Sequence, residues 1–117
     1  MINLVSIIIP VFNEVDAIEK LVENTQNLRN LGLNFEYEII IVDDGSTDGT
    51  GATLKEIQHT NQNLHVVSLA RNYGQSTALQ AGFDHCAVDV LITMDGYLQN
   101  DPADIPKIIN ILKDNNE

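Results

Sequence analysis

Four short polar segments hold the residues that could do chemistry, and each directly follows an aliphatic run. The first is Pro10-Val11-Phe12-Asn13-Glu14, which also reads as a plain strand terminator and helix entry. The second, Asp43-Asp44-Gly45-Ser46-Thr47-Asp48-Gly49-Thr50, packs three carboxylates, three hydroxyls and two glycines into eight residues, more than an acidic turn needs. Adjacent carboxylates at a buried strand end repel, so Asp43 and Asp44 require backbone N–H partners, a cation, or a ligand donor such as a base N–H or a ribose hydroxyl. One of the two is expected to bond the amides of its own loop, and Asp48 to cap the helix that follows. The third segment, Ala70-Arg71-Asn72-Tyr73-Gly74-Gln75, contributes Arg71, one of only six basic residues. Its guanidinium suits a phosphate or a nucleobase; a surface ion pair with one of the seventeen acids is the competing reading. The fourth, Met94-Asp95-Gly96-Tyr97-Leu98-Gln99-Asn100-Asp101, offers the Asp95 carboxylate and the Gln99 carbonyl, hard oxygen donors suited to Mg²⁺ or Mn²⁺.

Other chemistries lack their residues. There is no GxGxxG after the first aliphatic run and no GxxxxGK[ST], so the usual dinucleotide and P-loop phosphate cradles are missing. No Ser-His-Asp or Cys-His set can be placed at the strand ends. His59, His65 and His85 lack ligand spacing and read as bystanders, and Cys86 reads as core filler. A receiver-type phosphoacceptor domain would want a lysine after a later strand, but Lys107 and Lys113 both fall inside the expected terminal helix.

The elements that must position these segments follow from hydrophobic periodicity. Leu4 to Val11, Glu38 to Val42, Leu64 to Leu69 and Val88 to Met94 are β-branched, near-continuous apolar runs, as expected of strands buried on both faces of a parallel sheet. Helical spacing covers Asp16 to Leu31, with Gly32 as its cap, Thr47 to Gln58, and Gln75 to Cys86, whose small residues permit close approach to the sheet. A last helix is expected from Pro102, capped by Asp101. The alternating order predicts an α/β fold with a parallel sheet of about four strands and helices on both faces. Ligands of such folds bind beyond the carboxyl ends of the strands, where all four polar segments fall.

Length and charge bound the rest. At 117 residues the chain is expected to form a single domain, and its 44% apolar content with seven Gly and three Pro is that of a globular protein. A formal charge of −11 disfavours nucleic acid as a partner. A lone cysteine fits a reducing compartment, and no apolar run approaches the ~20 residues of a membrane span, so a soluble, cytoplasmic protein without a signal peptide is expected.

Taken in order and spacing, Ser6-Ile7-Ile8-Ile9-Pro10-Val11-Phe12-Asn13-Glu14, Ile41-Val42-Asp43-Asp44-Gly45-Ser46-Thr47-Asp48, Arg71-Asn72-Tyr73-Gly74-Gln75 and Met94-Asp95-Gly96-Tyr97-Leu98-Gln99-Asn100-Asp101-Pro102 resemble family 2 glycosyltransferases of the GT-A fold. Within that family the third and fourth segments are most similar to the polyprenyl-phosphate glycosyltransferases, the dolichyl-phosphate mannose synthase group. The resemblance implies a Rossmann-like, nucleotide-sugar-binding half-domain over residues 1–117, with the acceptor half and its catalytic groups in a further part of the family's catalytic domain. By the same resemblance, Pro10, Phe12 and Glu14 line the base and ribose pocket of a UDP- or GDP-sugar. Asp44 accepts a hydrogen bond from the base, and Arg71 lies beside it. Asp95 is the first carboxylate of the family's DxD motif, and Gln99 helps to hold the metal and diphosphate. Tyr97 stands where the second DxD carboxylate is expected, and a neutral phenol is a poor Mg²⁺ ligand. Two functions therefore compete: sugar transfer to a polyprenyl phosphate or other acceptor in glycan or cell-envelope biosynthesis, at the cytoplasmic face of a membrane if the protein is longer, and a catalytically inactive binding module. A sheet edge or apolar face left exposed would favour a homodimer.

Overall fold

The computed structural model describes residues 4–27, 36–85 and 90–93. The element order is β1 (Leu4–Val11), α1 (Ile18–Gln26), β2 (Glu36–Asp43), α2 (Thr50–Gln58), β3 (Leu64–Ser68), α3 (Gln75–His85) and β4 (Val90–Thr93). The strands form one parallel sheet in the order β3-β2-β1-β4, as the aliphatic runs predict. The Gly32 cap, Cys86 and the helix expected from Pro102 lie outside the described residues.

Both faces of the sheet are covered, which explains why the strand sequences do not alternate with polar residues. Ile7, Ile9, Ile39 and Ile41 pack with Ile18, Leu21 and Val22 of α1 and Leu54 of α2 on one face. Ile8, Ile40 and Val42 face Ala78 of α3 on the other. Each of these isoleucines is fully buried, a contribution of roughly 1.5–3 kcal/mol apiece. The small residues of α3 do what their size suggests: a Cβ on Gly82 would sit 2.5 Å from Ile8 Cγ2, so only glycine lets the helix lie this close.

Right-handed crossovers fix the layout. The chain adds β2 and then β3 on one side of β1, with α1 and α2 on a common face. It then crosses through α3 on the opposite face to place β4 on the other side of β1. Strand order therefore reverses between β1 and β4, the position where such folds open a crevice beyond the carboxyl ends. At the opposite end, the Gln26 side chain bonds Asn61 and Asn63 at 2.9 and 2.8 Å and receives the Tyr37 hydroxyl, tying α1 to the start of β3. Among the described residues no helix is long and apolar enough to cross a membrane.

Candidate functional site

The loops after β1 and β2 are clipped together along the carboxyl edge. Asn13 takes a left-handed conformation, φ 52°, which asparagine tolerates better than most residues, and turns three successive amides toward the second loop. The Asn13 amide donates to Ser46 Oγ at 2.8 Å, the Glu14 amide to Thr50 Oγ1 at 3.0 Å, and the Val15 amide to Asp48 Oδ2 at 3.1 Å. The Thr47 amide returns a bond of 2.8 Å to Asn13 Oδ1. Asp48 also accepts the Thr50 amide at 3.0 Å and the Thr50 hydroxyl at 2.5 Å. The Thr50 hydroxyl above all, with the Val15 and Thr50 amides, outweighs desolvation and holds the Asp48 carboxyl below its ordinary pKa. Asp48 thus satisfies the first amide of α2, as a capping residue would, although the N-cap position itself is Gly49.

The Asp43-Asp44 pair finds its partners among backbone amides. Asp43 accepts the Ser46 amide of its own loop at 3.0 Å, the structural role expected of one member. Asp44, 4% exposed, reaches across to the next loop, where Oδ1 accepts the Tyr73 amide at 2.8 Å and Oδ2 the Gly74 amide at 3.0 Å. Neither carboxylate therefore requires a cation to offset its charge. A carboxylate offers about four lone pairs, so one on each Asp44 oxygen stays available to a ligand donor.

This contact moulds the segment that carries Arg71. The Leu69 amide bonds the Asp43 carbonyl at 2.9 Å, and Gly45, at φ 74°, lies so close to the third loop that a Cβ would be 2.2 Å from the Arg71 carbonyl carbon. Arg71 is exposed, and its guanidinium carbon stands 4.8 Å from the centroid of the Tyr73 ring, a cation–π arrangement. Among the described residues it pairs with no carboxylate.

Five of the expected site residues share this rim. Pro10, half-buried and in register with Val42, and half-buried Phe12 and Glu14 follow β1; Asp44 follows β2, and Arg71 follows β3. Asp95, Tyr97 and Gln99 lie outside the described residues, and among those described no three His, Cys, Asp or Glu side chains converge as a metal site. Sequence reading gave Tyr73 and the Asn13 clip no role; an aromatic two places after a lone arginine was the available signal for the first. It also missed a chain toward the amino ends of the strands, where buried Ser6 donates to Glu38, whose other oxygen is 3.5 Å from His65 Nε2. The carboxylate sits between serine and histidine, so His65 cannot take a proton from Ser6 as a general base would.

The model of glycosyl transferase family 2 matches residues 6–117, nearly the whole chain and all four polar segments. The chain belongs to this family. Family 2 membership agrees with the fold's likeness to solved glycosyltransferases. A Pyrobaculum calidifontis mannosyltransferase, PcManGT, in complex with GDP-Man and Mn²⁺, is similar at TM-score 0.68 and 25% identity, over 79% of this chain and 27% of that one. S. aureus TarS 1-349 in complex with UDP-GlcNAc matches at TM-score 0.75 and 21% identity, over 94% of this chain and 31% of its own. The chain spans less than a third of the length of either. The GT-A fold and its Rossmann-like parallel sheet, expected from the motifs, are those of the structure.

Proposed function

We propose that the chain is the donor-binding part of a glycosyltransferase that takes a UDP- or GDP-sugar. The observation that carries this reading is the built rim: three loops bonded to one another at the carboxyl ends, bearing Pro10, Phe12, Glu14, Asp44 and Arg71, in a chain whose family match runs from residue 6 to 117. In this reading Pro10, Phe12 and Glu14 line the base and ribose pocket, Asp44 accepts a hydrogen bond from the base, and Arg71 stands beside that pocket. Asp95 and Gln99 would hold Mg²⁺ or Mn²⁺, and their oxygen chemistry fits such an ion, with Tyr97 leaving it one anion short. Bound there, the metal would neutralise the diphosphate and stabilise it as a leaving group. The PcManGT complex with GDP-Man and Mn²⁺ supports the pairing of nucleotide sugar and divalent ion. The acceptor we propose is a polyprenyl phosphate, met at the cytoplasmic face of a membrane, and the chain is proposed to pair as a homodimer through its sheet edge.

Calorimetric titration with UDP- and GDP-sugars, with and without Mn²⁺, tests the donor site. Binding is expected to need the metal and to tighten about 10-fold in Tyr97→Asp, where a second anionic ligand adds on the order of 1.4 kcal/mol. Absence of binding in both proteins refutes the donor reading. The Asp95-Gly96-Tyr97 sequence favours one alternative, a catalytically inactive binding module; nucleotide binding indifferent to Mn²⁺ points to it.

A further inference from the structure

No ligand role is expected of Thr50 from the sequence, yet its hydroxyl ties the second loop to the first. The residue is fully buried where α2 begins, and its Oγ1 stands 2.5 Å from Asp48 Oδ1 and 3.0 Å from the Glu14 amide. Elimination fixes the direction of both bonds. An ionised carboxylate can only accept and an amide N–H can only donate, so the hydroxyl proton points at Asp48 and a lone pair at Glu14. Asp48 is held in turn by the Thr50 and Val15 amides at 3.0 and 3.1 Å. The Glu14 carbonyl accepts the Ala17 amide at 3.0 Å, so both backbone groups of Glu14 are committed and the direction in which its side chain leaves the backbone is set. The other bonds between the two loops, at Asn13, Val15 and Thr47, are exposed and replace bonds to water at little net gain. Among them, only the bond from Glu14 has a fully buried residue as its acceptor.

We infer that Thr50 is a positioning residue: its hydroxyl, oriented by Asp48, fixes the Glu14 backbone and thereby places the Glu14 side chain at the proposed nucleotide rim. A role confined to starting α2 does not account for this geometry. The hydroxyl is spent on Asp48 and on the first loop, and it accepts no amide of α2 itself. Charge strengthens the arrangement, because a hydroxyl that donates to an ionised acceptor is polarised and becomes a better acceptor for the Glu14 amide. Valine has the shape of threonine without the oxygen, and serine keeps the oxygen without the methyl group. Side-chain shape and hydrogen bond can therefore be separated at this position.

The inference rests on the proposed donor site for its functional half and on Thr50 alone for its structural half, so two measurements separate them. Without ligand, Thr50→Val is expected to lower hydrogen-exchange protection of the Glu14 amide by about 10-fold or more, and Thr50→Ser to restore it. Protection retained in Thr50→Val overturns the inference. Should that variant fail to fold, the unaltered protein reads the clip directly. Couplings across the hydrogen bonds from the Val15 and Thr50 amides to the Asp48 carboxylate carbon are expected there, with a protected Glu14 amide, and an unprotected Glu14 amide overturns the inference equally. With a UDP- or GDP-sugar and Mn²⁺, Thr50→Val and Glu14→Ala are each expected to weaken binding about 10-fold, Thr50→Ser by less than about 3-fold, and the Thr50→Val, Glu14→Ala double variant no more than Glu14→Ala alone. Losses in the double variant that multiply to about 100-fold, or a serine variant as weak as the valine one, would show that Thr50 does not act through Glu14 and overturn the inference. Failure of the unaltered protein to bind either nucleotide sugar overturns the donor reading, while the ligand-free exchange still decides what Thr50 holds.

Discussion

Gly45 and Gly74 give a comparison in which a close contact can be separated from a backbone conformation. Both have positive φ, 74° and 103°, so alanine at either costs about 1–2 kcal/mol for the left-handed backbone alone. They differ in surroundings. A Cβ on Gly74 would meet nothing within 4 Å, whereas one on Gly45 would stand 2.2 Å from the Arg71 carbonyl carbon, 2.4 Å from the Asn72 nitrogen and 2.6 Å from the Arg71 Cα. Carbon atoms pack at about 3.5–4.0 Å, so the two backbones must part by about 1 Å or more, and no side chain is available to give way. That retreat pulls the Tyr73 and Gly74 amides from the Asp44 carboxylate, and hydrogen bonds to a charged group are worth about 1.5–3 kcal/mol each. Loss of one adds about 2 kcal/mol, bringing Gly45→Ala to about 3–4 kcal/mol against about 1–2 for Gly74→Ala. In urea, with a slope of about 1–2 kcal/mol/M, the two midpoints should differ by about 1–2 M. Midpoints within about 0.3 M of each other would refute the close approach of the second and third loops and the tight joint built on it.

Two further outcomes bear on other parts of the fold. Gly82→Ala should destabilise by about 1–2 kcal/mol despite alanine's helix propensity, because the added methyl overlaps Ile8 Cγ2 and overpacking costs about 1–3 kcal/mol; thermal unfolding checks it. The Asp48 carboxyl should titrate below its ordinary pKa when followed by NMR. Its folded pKa is depressed, so its stabilisation is fully present above the unfolded pKa of about 3.9 and is lost as pH falls through the lower folded value. Asp48→Asn should therefore flatten the acid limb of the stability profile, and an unchanged limb would show that the Thr50 hydroxyl and Val15 amide do not hold the ion.

Strands were legible because burial on both faces writes them as aliphatic runs: Leu4–Val11 has the same bounds in the sequence pattern and in the structure. Where the run gives way to polar residues the bounds shift. β2 begins at Glu36, whose charge and exposure hide it from an apolar pattern. Helix α2 begins at Thr50, not Thr47, because Thr47 and Asp48 are engaged in bonds to the first loop. Similarly, α1 begins at Ile18, after a turn in which the Ala17 amide bonds the Glu14 carbonyl. The wiring of the rim had no sequence signature. Its bonds join residues 29 to 36 positions apart, from Tyr73 to Asp44 and from Glu14 to Thr50, and no short-range periodicity encodes such pairings.

The density of polar groups after β2 looks like ligand chemistry, and most of it is loop chemistry. Ser46, Asp48 and Thr50 supply acceptors to the three amides that Asn13 turns outward, Asp43 serves its own turn, and Asp44 serves the third loop. From the sequence Asp43 and Asp44 are groups in need of partners and Asp48 a helix cap, and in the structure each accepts a backbone amide. These acids are hydrogen-bonded by backbone amides, and among the described residues no three of them converge as a metal site. A diphosphate brought to this edge would have to be met by something else. On the described rim the cation is Arg71, exposed and without a carboxylate partner among the described residues, and the remaining donors for a metal are those that follow β4. In the proposed reading the nucleoside would be met by the first three loops, Asp44 included, and the phosphates by the residues that follow β4, while Ser46, Asp48 and Thr50 hold the first loop in place. Substitutions at Ser46, Asp48 or Thr50 that spare their hydrogen bonds should leave nucleotide affinity unchanged, and those that break them should act through the first loop.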